Sequence, residues 1–191
     1  MLKIIILKEQ WMLVLPEVKN YLRLKLLIWK KQENSARNKL KKKTNNKMSD
    51  IKRILENSKS IAMIGVSNDL KKPSTIVMKY MQEYGYKVYP VNPSAKGKKI
   101  LGEKVYASIT EIKDPIDIVD VFRPSKEAFG IAEDTVKIGA KVLWLQLGIR
   151  DENAKSLVEK NNIEYVENKC TKMEYQKFFL KVRQAFPVLS N

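Results

Sequence analysis

The sequence predicts a doubly wound, mostly parallel five-stranded α/β sheet preceded by a basic amino-terminal extension. Short apolar runs, which are typical of buried parallel strands, alternate five times with segments of helical periodicity. Glycine or proline stands at most of the junctions between them. Charge and composition change near Met48. Strands and helices that alternate through short connections form right-handed crossovers around one sheet, which gives the predicted fold class.

The predicted strands are apolar runs that stop at glycine, at proline or before a polar loop. They cover residues 60–65, 86–91, 116–122, 141–147 and 163–166. Helices are predicted over residues 73–84, 125–138, 151–160 and 173–186. Pro73 suits the first turn of the first of these helices, and Gly85 closes it. Ser125 and Asp151 are the predicted N-caps of the next two helices.

The composition narrows both the architecture and the chemistry. A length of 191 residues with 44% hydrophobic content suits one domain with an appendage. The single cysteine, Cys170, cannot form an internal disulfide, which favours a reducing, cytoplasmic setting. The chain has no histidine. This excludes a Ser-His-Asp triad, histidine metal ligands and a phosphohistidine intermediate.

The extension, residues 1–47, holds 13 Lys and Arg against 3 acids, so it carries +10 of the net charge of +16. Residues 34–47 form a polar basic run without apolar periodicity, which predicts a linker or a disordered tail. The apolar runs before it are too short to span a bilayer. Three interpretations stay open: binding to nucleic acid or an anionic membrane, docking of a helix on the main domain or a partner, or an upstream start with translation beginning at Met48. The third is favoured, which makes residues 48–191 the domain.

Ligands of doubly wound sheets bind beyond the carboxyl ends of the strands, near the switch in strand order. Residues 65–68, 90–93, 122–124 and 146–148 lie at those ends and are predicted to line one crevice. The loop that begins at Gly65 can present backbone N–H groups and a hydroxyl to a phosphate. It lacks the other glycines of the dinucleotide fingerprint, and the second strand lacks the acid that holds an NAD ribose. A basic loop, residues 96–99, follows instead. These features favour a phosphate-rich adenine nucleotide over NAD but do not identify the nucleotide. A glycine that only forms a turn, followed by a solvated basic loop, would give the same sequence pattern.

Six groups of residues, taken in order, carry a family resemblance. They are residues 61–67, 72–74 with 77–80, 88–93, 118–123, 139–141 with 143–148, and 168–170. Together, over about residues 50–175, they resemble the CoA-binding protein family of small bacterial Rossmann-like domains. They are also similar to the amino-terminal CoA-binding domain of the succinyl-CoA synthetase alpha subunit.

The resemblance implies a role for each strand end. The first loop would contact the CoA pyrophosphate, the second would border the adenosine, and the end of the fourth strand would lie along the pantetheine arm. Lys96 would match the synthetase lysine near the ribose 3′-phosphate, although the loop length differs by a residue. The predicted CoA-binding residues are Gly65, Val66, Ser67, Asn68, Pro73, Ser74, Asn92, Pro93, Lys96, Arg123, Leu145, Gln146, Leu147, Gly148 and Cys170.

Several of these side chains have two interpretations. Arg123 either holds a phosphate or acyl carboxylate, or pairs with a neighbouring acid. Cys170 either forms a mixed disulfide with the CoA thiol or is an inert, half-buried thiol, and the second is favoured. Trp144 is predicted to be core rather than a stacking platform. Asp117 and Asp120 show no acid–base partner by spacing, so neither receives a role.

The resemblance therefore implies a stand-alone module that binds CoA or an acyl-CoA, as a carrier, a sensor or a subunit of a larger complex. A homodimer is also open. The synthetase reaction does not carry over, because it needs a phosphorylated histidine and a further subunit, so no catalytic residue and no metal ligand is assigned. Two alternatives remain: an NAD(P)-binding oxidoreductase, and an interaction protein that uses the basic extension, with nucleic acid as a less favoured partner.

Overall fold

The computed structural model describes residues 16–180. The helices are α1 (Pro16–Asn57), α2 (Pro73–Glu83), α3 (Ala128–Lys137), α4 (Glu152–Lys160) and α5 (Thr171–Phe179). The strands are β1 (Ser60–Ile64), β2 (Lys87–Val91), β3 (Lys99–Ile100), β4 (Glu103–Lys104), β5 (Ile118–Val121), β6 (Val142–Leu145) and β7 (Glu164–Val166).

Five of the strands form one parallel sheet in the order β2-β1-β5-β6-β7. The chain runs outwards from β1 to β2 and then returns past β1 to β5, so the switch in strand order lies between β1 and β5. The predicted doubly wound, parallel α/β fold is confirmed. The strands are one or two residues shorter than the predicted runs at most ends, because strand pairing stops before the predicted run does.

The sheet is buried on both faces. Alternate strand residues such as Ile61 and Met63 pack with α2 and the last turns of α1, while Ala62 and its neighbours pack with α3 and α4. Continuous apolar strands are what such a sheet requires, since each face must be covered by helices. Trp144 is fully buried in the first of these layers, which confirms that it belongs to the core.

The short hairpin β3–β4 has no counterpart in the sequence prediction. Its two-residue turn consists of Leu101 at φ +46° and Gly102 at φ +84°. Two consecutive residues with positive φ are the requirement of the tight turns that suit hairpins, and asparagine or aspartate usually precedes the glycine. Leucine at that position conceals the signal.

The two predicted N-caps differ in outcome. Asp151 caps α4, and its Oδ1 accepts a hydrogen bond from the backbone N–H of Ala154 at 2.7 Å. The Ser125 prediction is wrong, because a short 3-10 turn precedes α3 and the helix begins at Ala128. The Ser125 hydroxyl accepts instead from the backbone N–H of Arg150 at 3.1 Å, which ties the start of α3 to the loop after β6.

The chain divides after Ser49 into two units. Residues 34–47, predicted as an irregular linker, lie within α1. They contain neither glycine nor proline and are rich in lysine, so helix propensity operates here without an apolar stripe. Of the described helices, none is long and apolar enough to cross a membrane. The apolar runs of residues 1–15 and the end of the last predicted helix, residues 181–186, lie outside the described residues.

Candidate functional site

Hydrogen bonds between loops bring the strand ends together along one edge of the sheet. The Asn92 side-chain amide donates to the carbonyl of Val66 at 2.8 Å, which joins the loops after β1 and β2. The backbone N–H of Gly148 donates to Asn168 Oδ1 at 2.8 Å, which joins the loops after β6 and β7. The predicted binding segments therefore form one continuous edge that includes the loop of Cys170.

A cleft of about 260 Å³ opens on this edge at the strand-order switch. It brings together four of the predicted residues, which are Gly65, Asn92, Pro93 and Arg123. Residues that the sequence did not single out complete its wall, chiefly Ser94, Ser108, Ile109, Glu127, Ile131 and Asp134. The cleft thus combines apolar strand ends with hydroxyls, one guanidinium and two carboxylates.

Gly65 is the point of closest approach between β1 and the end of β5. Its φ is +89°, and a Cβ built on it would lie 2.9 Å from both the Phe122 carbonyl oxygen and Arg123 Cδ. Only glycine combines that backbone angle with that space. The Gly65 N–H donates to the carbonyl of Val91 at 2.8 Å, so it belongs to the sheet and is not free for a phosphate.

The loop after Gly65 is fastened to the start of α2. The Ser67 N–H donates to Ser74 Oγ at 3.2 Å, and Thr75 Oγ1 donates to the Ser67 carbonyl at 2.7 Å. Each serine hydroxyl accepts a bond here; Ser67 is partly exposed, whereas Ser74 is buried at the start of α2. Asn68 is exposed beside them, and Pro73, also exposed, begins the helix without an N–H. Val66 is fully buried and its carbonyl accepts from Asn92, so it presents no surface to a ligand in this structure.

Both predicted phosphate-binding cations are paired with carboxylates. Lys96 Nζ lies 2.7 Å from Glu111 Oε1, and Arg123 donates to both oxygens of Glu127 at 2.8 and 2.9 Å. Hydrogen bonding to Lys96 lowers the pKa of Glu111, and hydrogen bonding to Arg123 lowers the pKa of Glu127. Of the two interpretations of Arg123, the pairing with a neighbouring acid is the one seen in this structure.

Asn92 lines the cleft and also holds two loops together through its side chain. Its Oδ1 accepts from the Ser94 N–H at 3.0 Å and its amide donates to Val66, so both ends of the side chain are occupied. The following turn, Pro93–Ala95, carries Pro93 on the cleft wall. An adenosine would therefore meet the ring of Pro93 and the backbone of this turn rather than a free asparagine amide.

The end of β6 holds a buried polar cluster that the sequence did not indicate. Gln146 Nε2 donates to Asp120 Oδ1 at 2.7 Å and to Thr171 Oγ1 at 2.9 Å, and Thr171 donates to Asp120 Oδ2 at 3.1 Å. Asp120 and Thr171 are fully buried. Burial raises the pKa of Asp120 to about 7, although the bonds from Gln146 and Thr171 oppose the shift. The partners stand 26 and 51 positions away, so no local spacing could have revealed them.

The remaining predicted residues lie around this cluster. Leu145 is fully buried against α3 and α4, whereas Leu147 is exposed and Gly148 has φ +78°. Cys170 is a free, partly buried thiol at the N-cap position of α5. The carbonyl of the preceding residue, Lys169, accepts from Trp144 Nε1 at 2.7 Å, which anchors this loop to the core.

A second cavity, of about 410 Å³, lies beside α2 and contains none of the predicted residues. Its walls are apolar with two lysines: Leu70, Thr75, Ile76, Lys79, Tyr80, Glu83, Leu101 and Lys172. Leu70 and Ile76 are exposed on it. The sequence analysis assigned no ligand to this surface, whose residues come from α2, α5, the β3–β4 turn and the loop before α2.

Comparisons with known proteins agree with this arrangement. Residues 59–176 match the family model described as a CoA binding domain. The uncharacterized protein YneT of Bacillus subtilis is 38% identical over 126 residues, which cover 66% of this chain and 92% of YneT. Subunit alpha of the ADP-forming acetate–CoA ligase I of Pyrococcus furiosus is 39% identical over 93 residues, 47% of this chain and 20% of that subunit.

A solved structure of the Thermus thermophilus protein called cell-free ID.343 superposes with a TM-score of 0.67 at 32% identity. The match covers 69% of this chain and 98% of that protein. The similarity to the ligase is confined to a fifth of its subunit, whereas the similarity to YneT and to the Thermus protein extends over nearly their whole length. From the family match and the shared fold, this chain belongs to the family of CoA-binding domain proteins.

Proposed function

We propose that this chain binds coenzyme A or an acyl-CoA along the carboxyl edge of its sheet, as a stand-alone module. The observation that carries the proposal is the loop that begins at Gly65: Gly65 lines the cleft together with Pro93 and Arg123, and the loop after it is fastened to the start of α2. A loop of this kind at a helix N-terminus favours phosphate, and the adjoining cleft suits the nucleoside that the phosphates carry.

In this proposal the ligand runs along the edge in the order of the strands. The adenosine occupies the cleft beside Pro93, and the pyrophosphate lies over Ser67 and Ser74. The pantetheine arm follows the exposed Leu147 towards Cys170. A cleft of about 260 Å³ holds only part of so large a molecule, so the arm lies in the open groove beyond it.

The same residues support binding rather than catalysis. The chain has no histidine, and Cys170 is partly buried and packs against the apolar core. Apolar packing favours an inert cysteine over a nucleophile. A reducing cytoplasmic setting fits one unpaired thiol, and the domain that carries the function is residues 48–191.

The test is calorimetric titration of the full chain with CoA, acetyl-CoA and dephospho-CoA. Titrations with NADH and NADPH test the alternative ligand class. We expect CoA to bind at one per chain and dephospho-CoA to bind about three- to tenfold more weakly, because it lacks the phosphate that meets the exposed Lys96. Absence of binding by CoA and acetyl-CoA would overturn the proposal, and binding of NADH in their place would favour the NAD(P) alternative.

A lysine variant tests the 3′-phosphate contact separately. Lys96→Met should remove the preference for CoA over dephospho-CoA, because the variant has no cation for the phosphate. Lys98→Met removes an equally exposed lysine two residues away and should keep the preference. If both variants behave alike, the assignment of Lys96 is wrong and general basicity of the loop explains the preference.

A further inference from the structure

The two cations nearest the proposed phosphate positions are already paired in this structure: Lys96, which is predicted to lie near the 3′-phosphate, and Arg123, which lies against Gly65 at the start of the proposed pyrophosphate loop. Lys96 is held by Glu111, which is 15 positions away, and Arg123 is held by Glu127 one helical turn later. Glu111 also accepts from the backbone N–H of Ala107 at 3.2 Å, so it is fixed to the loop before β5. Each of these cations therefore already donates to a carboxylate with which a phosphate would compete.

The geometry of the arginine pair places Glu127 in competition with a phosphate for one edge of the guanidinium. Glu127 occupies the Nε and Nη2 edge of the Arg123 guanidinium in a two-point fork, which is also the way phosphate binds arginine. Glu127 itself lines the cleft. A phosphate that approaches the loop after Gly65 meets both a guanidinium that is already neutralised and a carboxylate that repels it.

The other charges around the cleft also indicate that a phosphate would have to compete with carboxylates. Arg123 is its lining cation, while Glu127 and Asp134 are lining carboxylates, and Asp134 is paired with Lys137 at 2.9 Å. The three phosphates of CoA carry about three to four negative charges at neutral pH. A wall in which each charge is already balanced provides little attraction for such an anion unless pairs open.

We infer that Glu111 and Glu127 are specificity-determining counter-ions that hold Lys96 and Arg123 in the free protein and yield them to the ligand phosphates. This inference rests on the proposed function. Binding breaks one ion pair at each position and forms another, so the affinity is the difference between the two. Glu111 then sets the affinity for the 3′-phosphate, and Glu127 sets the affinity for the pyrophosphate.

Both ion pairs are accessible enough to exchange. The side chains of Lys96 and Glu111 are 61% and 37% exposed, and those of Arg123 and Glu127 are 49% and 35% exposed. Pairs as exposed as these contribute little to stability. Opening them therefore costs the fold little, and neutralising the carboxylate should leave the protein folded.

The experiment compares Glu111→Gln and Glu127→Gln with the wild type by titration of the full chain with CoA, dephospho-CoA and adenosine. Glutamine keeps the size of the side chain and an oxygen acceptor for Ala107. We expect Glu127→Gln to bind both CoA and dephospho-CoA about three- to tenfold more tightly. Glu111→Gln should tighten CoA by a similar factor and leave dephospho-CoA unchanged, and adenosine should be unchanged in both variants.

Glu133→Gln is the matched control, since it removes one negative charge from an exposed position of α3 that does not line the cleft. It should leave all three affinities unchanged. Weaker or equal binding of CoA by Glu111→Gln and Glu127→Gln overturns the inference, because the carboxylates then orient the cations or do nothing. Failure of the wild type to bind CoA contradicts the proposed function instead, so the two failures are distinguishable.

Discussion

Gly65→Ala is expected to lower the free energy of unfolding by about 2–5 kcal/mol and to weaken CoA binding with it. Part of the loss is the cost of placing a side chain at φ +89°. The rest is the collision of the new methyl group with the Phe122 carbonyl oxygen. That carbonyl cannot withdraw freely, because the Phe122 N–H donates to Ile64 at 2.9 Å and holds the end of β5 against β1. Urea denaturation measures the change.

Gly97→Ala separates the two contributions. Gly97 has φ +79°, and a Cβ built on it meets no atom within 4 Å. This variant should therefore lose only the backbone cost, about 1–2 kcal/mol. If Gly65→Ala is no more destabilised than Gly97→Ala, the close approach of β1 and β5 is not what requires glycine at position 65.

Asp120→Asn is expected to stabilise the protein progressively as pH rises from 4 to 8. The folded-state pKa of Asp120, about 7, lies above its ordinary value of 3.8, because the carboxyl is buried among uncharged partners. Between those values the folded protein keeps a proton that the unfolded chain has released. The wild type therefore loses stability as pH rises through this window, and the loss is complete above about pH 7. Asparagine is neutral throughout, and it can still accept from Gln146 and donate to Thr171.

The measurement is the free energy of unfolding of the wild type and Asp120→Asn at several pH values. The difference between them should grow by an amount on the order of a few kcal/mol between pH 4 and 8. A difference that stays constant over that range would show that Asp120 is ionised in both states. Its role in holding Gln146 and the start of α5 would then be that of a carboxylate.

Asp117→Asn provides a control of opposite sign. Burial acts to raise the pKa of Asp117, but the bonds from Lys141 and from the backbone of Lys59 and Ser60 outweigh it, and the pKa is lowered. Its contribution to stability is present above the ordinary pKa and is lost as pH falls through the folded value. The free energy of unfolding of the wild type should therefore exceed that of Asp117→Asn at neutral pH, and the difference should decrease as the pH falls.

The sequence predicted the features that depend on neighbouring residues. Continuous apolar runs fixed the five parallel strands, because only such runs suit a sheet covered on both faces. Asp151 was recognised as a cap because the bond it accepts spans three residues. The resemblance in the loop after β1 and at the other strand ends was sufficient to place the chain in its family before any contact was known.

Other features were predicted wrongly or not at all, because the local sequence pattern did not indicate the structure that forms there. Ser125 is a residue type that commonly caps helices, but its hydroxyl accepts a hydrogen bond from the loop after β6. Residues 34–47 lack an apolar stripe and are nevertheless helical. The hairpin turn at Leu101 was missed because leucine seldom occupies that conformation.

By itself, the sequence determined the fold class, the family and the segments that carry the candidate site, since each of these follows from residues close together in the chain. Tertiary structure alone decided the strand order, the cleft at its switch, and the partners of the site's charged groups. Asp120 meets Thr171 because parallel strands bring the end of β5 and the segment after β7 to one edge of the sheet. Lys96 meets Glu111 because the connection between β2 and β5 folds back on itself. Burial, charge balance and access to a ligand depend on these long-range contacts, which no periodicity or spacing along the chain indicates.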